Sequence, residues 1–548
     1  MNLTRMAWLG VAAAASLATI ATGLAPAAAQ PSAPRASTPP AVHTYHGTPG
    51  LARAGVPAAS GRPATRVFPK GARRLPSGHY SATEAVPRVP AQASAAAAAA
   101  VRRPSVNFNG VSSRDSQFTN YEAMFEPPDQ GLCQGNGFVI EPVNSAYRIY
   151  RTNGRSLRGP FNLNDLFNVG GAEFTSDPRC WFDRSTQTWF ATNLFINNTF
   201  TAASLLIAVR HNPSPLGLWT QYSIDTTDLG GNGCPCLGDQ PRIGIDQTNL
   251  YVTADEFSLQ GPEFNGAEMW AIDKADLIAG VASPHFVHFA GLTTDTLAPQ
   301  PALSRGTPNA EYMLGSLDPT GNGGNQLSVW AVTNRDQVGL GGTPTLTSIN
   351  INSEKYAIPP KAPQKGANNK LDSGDDRMQS TQFVGGAIWG ELTTAVKPKG
   401  DSRVRAGGAW FQVKPTLDAS GITITGARIV RQGYIASAGR YQIYPAVQPD
   451  AAGNAAVIFT LTSKARFPAA AYALLKAGGA NFGPTAVAAA GSGPYTKDTT
   501  RWGDYSFAVP DSSTDAAWLA TEYMPPRSSQ TTNHRRPWGT RVIKIRLK

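Results

Sequence analysis

A short block recurs in this chain, with an acid at or near its head and usually an arginine close by. Asp177-Pro178-Arg179, Asp239-Gln240-Pro241-Arg242, Asp376-Arg377 and Arg501-Trp502-Gly503-Asp504-Tyr505 are four copies, and Pro127-Pro128-Asp129 is another without the arginine. Gathered in one place, Asp129, Asp177, Asp239, Asp376 and Asp504 would make a ring of carboxylates beside Arg179, Arg242, Arg377 and Arg501, with Trp181, Trp502, Tyr444 and Tyr505 as aromatic surface. Paired carboxylates are the machinery of glycoside hydrolysis, as acid and base or as acid and nucleophile. Arginines grip carboxylate groups in bidentate fashion, and aromatic faces stack on sugar rings. The competing use of each Asp is to cap the turn entering a strand by accepting backbone N–H groups. Repetition favours that use, because catalysis needs only one or two acids. Gln300 and Tyr444 replace the acid in two copies.

Metal chemistry has thinner support. No cofactor is expected. A ring of carboxylates and carbonyls suits Ca²⁺, and Asp372-Ser373-Gly374-Asp375-Asp376 is the densest acidic cluster, but its spacing is not that of an EF-hand loop. Cys234-Pro235-Cys236 lacks the second close pair and the nearby histidine of a zinc site. His285 and His288 fall on an expected strand, where an offset of three sends side chains to opposite faces. Disulfides are the better use of Cys133, Cys180, Cys234 and Cys236. Four cysteines allow three pairings, and the closeness of Cys234 to Cys236 suggests that each seeks Cys133 or Cys180. Nucleophile-elbow, phosphate-loop and dinucleotide signatures are missing.

The elements that must position these residues are short strands. From Val106 onward apolar runs alternate with Gly, Asn, Asp and Pro clusters, without long amphipathic helices, which is an all-β signal. The blocks start near 129, 177, 239, 300, 376, 445 and 504, and each leads into a second apolar run such as Trp189-Phe190-Ala191-Thr192 or Leu250-Tyr251-Val252-Thr253. Ala208, Ala271 and Ala331 mark a third run, and Thr220–Ile224, Phe286–Phe289 and Leu346–Ile349 a fourth. Four strands repeated seven times predict a seven-bladed β-propeller over 105–548, in which the acid ring gathers at one mouth of the channel. The strand-like run at 541–547 is expected to share a sheet with N-terminal strands and hold the ring shut.

The closing block Arg501-Trp502-Gly503-Asp504-Tyr505-Ser506, with Glu522-Tyr523 and Trp538-Gly539-Thr540-Arg541, resembles that of a group of secreted bacterial β-propeller proteins with sialidase-like architecture. Pro127-Pro128-Asp129, Val143-Asn144 and Arg148-Ile149-Tyr150 are similar to that group's first blade. The resemblance covers roughly 105–548. It implies the fold and secretion and brings no activity or catalytic residue list.

Residues 1–30 read as a signal peptide: Arg5, an apolar run, then Ala25-Pro26-Ala27-Ala28-Ala29. Residues 31–104, rich in Pro, Ala, Ser and Arg, read as a disordered basic linker. Of 48 Lys+Arg and 37 Asp+Glu, 11 basic residues and one acid, Glu84, precede residue 105. The remainder is therefore nearly neutral, with no field for nucleic acid. A secreted monomer without a membrane span is expected. Two functions stay open: an extracellular binding or scaffold module presenting a polar cup to carbohydrate or another polymer, and a polysaccharide hydrolase or lyase working at that cup.

Overall fold

Among the described residues, strands of two to thirteen residues, joined mostly by hairpins, make up nearly all the regular structure. The computed structural model describes residues 40–55, 86–92, 101–119, 125–170, 173–228, 233–261, 263–293, 297–318, 321, 323–496, 501–526 and 538–548. Among them the helices are short, the longest being Ser113–Thr119. The signal-peptide reading of 1–30 lies outside the described residues.

Among the described residues the strands form six sheets, through which seven successive four-stranded antiparallel sets can be traced. Their first strands are Cys133–Gly135, Phe174–Asp183, Cys236–Ile245, Gln300–Pro301, Met378–Val384, Tyr441–Pro449 and Phe507–Pro510. Each set then runs outward by hairpins, as in Thr188–Ile196, Ala203–His211 and Thr220–Asp225 of the second. The third and fifth sets are tied into one sheet by parallel bridges through Leu303–Ser304. Among the described residues the last set has three strands from its own region. Its fourth is Val106–Ser112, antiparallel to Gly539–Arg546, with Val542 opposite Phe108. The sharing of a sheet between the chain's last strand and an early one, expected from the sequence, is what the register shows.

Many of these strands are buried on both faces. Every residue of Thr188–Ile196 and of Ala455–Ser463 is covered, which a sheet achieves only by packing against neighbours on both sides. The apolar clusters show which neighbours. Phe138 and Ile140 of the first set meet Phe182 and Trp189 of the second. Met269 of the third meets Trp330 of the fourth. Leu314 of the fourth meets Phe411 of the fifth, Trp410 of the fifth meets Phe459 of the sixth, and Ile458 of the sixth meets Leu519 of the seventh. Leu132 and Val139 of the first set share a cluster with Phe507 and Trp518 of the seventh. The succession thus returns to its start. Trp270 and Trp330, on the third strands of the third and fourth sets, are both buried.

Two expectations are corrected. The segment 31–104 is not uniformly a free linker: His43–Tyr45, Thr48–Leu51 and Arg53–Ala54 pair with the outermost strands of the fourth, third and second sets, and Arg88–Val89 pairs in parallel with Ala387–Pro398. Edge strands offer unpaired N–H and C=O groups, and even a Pro- and Gly-containing segment can satisfy them. Gly47 and Gly50 let this segment lie flat, since a Cβ at either would strike Val287 and Phe289, or Phe286. The cysteines pair as Cys133–Cys180 and Cys234–Cys236. Cys133 and Cys180 belong to first strands of adjacent sets with Cα atoms 5.4 Å apart, so they satisfy each other. Cys234 and Cys236, 4.5 Å apart, are left to close across one proline, within the range a bridge tolerates.

Candidate functional site

The repeated block places its polar residue at a β-bulge. Register shifts occur between Ser176 and Arg179, between Asp239 and Arg242, and between Ile443 and Ala446. Pro178, Pro241 and Pro445 lie in these gaps. Proline has no N–H for the ladder, so the strand must break register there. The residue before each proline takes positive φ: Asp177 at 59°, Gln240 at 48° and Tyr444 at 54°, and Asp129 matches them at 43°. Asp177 and Asp239 therefore sit inside the first strands rather than just ahead of them, as the sequence had suggested.

The bulges converge. Asn144 holds two of the acids in place: its Nδ2 donates to Asp129 Oδ2 at 2.7 Å, and its Oδ1 accepts the backbone N–H of Asp177 at 2.8 Å. Asp129 Oδ1 accepts the backbone N–H of Asp504 at 2.7 Å, and Asp504 pairs with Arg501. Asp177 and Asp504 both act on the charge of Asp129 and of Asp239. Burial first, then Asp504 and Asp177, pushes Asp129 well above the ordinary carboxylate range. Burial with Asp504 raises Asp177 to about 6, against the pull of Arg179 and Arg501. Burial with Asp177 and Asp255 raises Asp239 to about 7, against Arg377.

The arginines are held as firmly as the acids. Arg242 Nη2 donates to Asp255 Oδ2 at 2.5 Å, both side chains being buried. Arg377 grips Asp375 through Nε and Nη2 at 2.7 and 2.6 Å and reaches Gln240 Oε1 at 2.6 Å. Arg179 lies over Tyr505, its Cζ 3.2 Å from the ring centre. The expected aromatic surface is not there. Trp181, Trp502, Tyr444 and Tyr505 are all buried, Trp502 completely, because these rings fill the gaps between sets and Arg179 covers the face of Tyr505.

Asp376 stands apart from the others. Burial and Asp318 push it well above the usual range, and Asp318 is on the segment following the fourth set's second strand. In the acidic cluster, Asp372 Oδ1 accepts the N–H groups of Ser373 and Gly374, and Asp375 is neutralised by Arg377. His285 and His288 each take a carboxylate, Asp276 at 2.7 Å and Glu268 at 2.5 Å. Among the described residues, Cys234, Cys236 and Glu256 are the one close group of metal-ligand types, and the two sulfurs are joined, leaving no thiolate to ligate.

Several buried acids escaped the sequence reading. Glu141, Asp255, Glu311, Glu391 and Glu522 all lie on second strands and are almost wholly buried. Glu522 is pushed well up by burial, Asp129 and Asp504, and Gly503 passes directly over it, where a Cβ would strike its carboxylate. The available signal was a single acid inside an apolar or small-residue run, as in Phe138-Val139-Ile140-Glu141 and Trp518-Leu519-Ala520-Thr521-Glu522.

No protein-family model and no curated protein matches this chain. Solved structures give faint likenesses. An α-L-arabinofuranosidase from Fusarium graminearum aligns at 8% identity over 81% of this chain and 99% of its own, with a TM-score of 0.34. An endo-arabinanase from Bacillus licheniformis aligns at 12% identity over 54% and 96%, with a TM-score of 0.27. A Trypanosoma rangeli sialidase aligns at 10% identity over 66% and 56%, with a TM-score of 0.33. None of these likenesses is close enough to carry an inference to this chain.

Proposed function

We propose that residues 105–548 form a seven-bladed β-propeller of an exported protein, and that the polar centre binds carbohydrate as an extracellular binding module. Seven four-stranded sets in cyclic succession, the last completed by an N-terminal strand, support the propeller. Two disulfides suit an oxidising compartment, and no helix among the described residues is long and apolar enough to cross a membrane.

The observation that carries the ligand reading is unmet hydrogen-bonding capacity. The hydroxyls of Tyr444 and Tyr505, both oxygens of Glu522, and Nε and Nη1 of Arg242 are buried without a partner. Each such group costs roughly 1–3 kcal/mol if it stays unpaired. They mix donors and acceptors around Asp129, Asp177 and Asp239. A sugar's hydroxyls donate and accept at once and match that mixture. These atoms are closed to solvent, so the centre must open for a sugar to reach them, and recognition then rests on hydrogen bonds rather than stacking.

One observation favours an enzyme at the same place. Asp177 and Asp239, raised to about 6 and 7, fall where carboxyls exchange protons near neutral pH. The deciding experiment is a panel of oligo- and polysaccharides, read by calorimetry and by reducing-end release. Binding without release supports the module, and release that disappears in Asp239→Asn supports the hydrolase. A panel with neither binding nor release rejects both.

A further inference from the structure

The two disulfides differ in what they can do for the fold. Cys133–Cys180 is wholly buried, joins two four-stranded sets and spans 47 residues. Cys234–Cys236 spans a single proline. A cross-link restrains the unfolded chain in proportion to the logarithm of the loop it closes, so the second bridge adds little to folding. Its surroundings are nevertheless built. Cys236 opens the first strand of the third set, is wholly buried, and is fixed by its N–H to the Thr227 carbonyl at 2.7 Å. Cys234 precedes that strand and is partly exposed. Asn265 Nδ2 is 2.9 Å from Cys236 Sγ and 3.7 Å from Cys234 Sγ. Glu256, 8% exposed, has Oε1 3.5 Å from Cys234 Sγ.

We propose that Cys234–Cys236 is a thiol–disulfide exchange centre, with Cys234 as the sulfur attacked by an external thiolate and Asn265 as the donor that receives the departing Cys236 thiolate. Cys234 is the partly exposed residue of the pair and Cys236 is wholly buried, so an incoming thiolate meets Cys234 first. Attack forms a bond between the external sulfur and Cys234 Sγ and breaks the Cys234–Cys236 bond, whose electron pair leaves on Cys236 Sγ beside the Asn265 N–H. A second external thiolate attacks the external sulfur of this mixed disulfide and releases Cys234 as thiolate. Two external thiols have then become one disulfide, and the two cysteines take up the two electrons and, as thiols, two protons. Glu256 stands next to Cys234 to supply one of them. Burial, with Glu268 and Asp228 close by, pushes its carboxyl up to about 8, so it holds a proton at neutral pH. The natural partner is therefore a protein or small molecule bearing accessible thiols.

The test uses the folded full chain and glutathione. The protein is incubated with reduced glutathione, quenched in acid and alkylated, and the peptides carrying each cysteine are weighed. Cys234 and Cys236 are expected to be reduced, with glutathione found on Cys234, while Cys133–Cys180 stays closed as an internal sign that the fold is intact. Asn265→Ala is expected to slow opening about tenfold, the worth of one hydrogen bond to a charged group, with an unchanged melting temperature. Glutathione on Cys236 rather than Cys234 would overturn the assignment. Equal resistance of both disulfides, or an unaltered rate in Asn265→Ala, would overturn the exchange centre itself.

Discussion

Asp129 accepts the backbone N–H of Asp504 at 2.7 Å, across 375 residues of sequence. That bond joins the segment entering the first four-stranded set to the segment entering the last. Asn144 holds the other oxygen of Asp129, so a side chain that reads as a candidate catalytic acid is also a clamp. Asp129→Ala should lower stability by about 1–3 kcal/mol, because it strands buried donors on both sides. Thermal melts check this. An unchanged melting temperature would remove the clamp.

A second clamp lies further out on the same seam. Glu141 of the first set accepts the Val111 N–H at 2.8 Å and the hydroxyl of Thr540, linking it to both terminal strands of the seventh. Removing 539–548 deletes one of those strands and leaves Val106–Ser112 without a partner. The whole domain is expected to lose its cooperative transition rather than fray at one end, and hydrogen exchange would separate the two. Protection lost only in the seventh set would count against a mechanically closed ring.

These two clamps show how far the sequence could be read. The seven block starts, the second strands and the phased third and fourth strands were legible because their apolar runs repeat. The gathering of Asp129, Asp177 and Asp239 followed from the same phase. What was not legible came from chain-distant partners. Asn144 has no pattern of its own, Glu141 and Glu522 looked like single acids within otherwise apolar or small-residue runs, and the pairing of His43–Tyr45 with Thr345–Tyr356 depends on edges that exist only after folding. The burial of Trp502 and Tyr505 was missed because a strand pattern gives a face but not what covers it.

The pairing of the N-terminal segment has its own consequence. Tyr45 packs on Trp330 with ring centres 4.7 Å apart, and Ala52 is almost fully buried. Deleting residues 1–55 should uncover three outer strands. A melting temperature lower by a few degrees, as about 1–2 kcal/mol would give in a chain this size, is expected together with faster aggregation through the exposed edges. A truncated chain as stable and as soluble as the whole one would restore the free-linker reading.

The acid cluster also sets a pH dependence. Asp177 and Asp239 titrate near 6 and 7 in the folded protein, against an ordinary 3.8. The folded form therefore keeps protons that the unfolded chain has already released. Their contribution to stability is complete below about pH 4 and is lost as pH rises through 6 and 7, each displaced unit being worth about 1.4 kcal/mol. Asp239→Asn should flatten this decline, gaining up to about 4 kcal/mol relative to wild type at pH 8 compared with pH 4. Denaturant melts at the two pH values would show it. A parallel shift at both would place Asp239 outside the titrating cluster.

The most direct test of the account is calorimetry of oligosaccharide binding to wild type, Asp239→Asn and Tyr444→Phe, with melting temperatures measured in the same buffer. The unmet hydroxyl of Tyr444 and the carboxyl of Asp239 at the same centre require that both variants bind at least about tenfold more weakly, one hydrogen bond's worth, with the melting temperature of Tyr444→Phe near that of wild type. A panel in which no carbohydrate binds, or variants that bind as wild type does, would contradict the reading of this centre as a carbohydrate site.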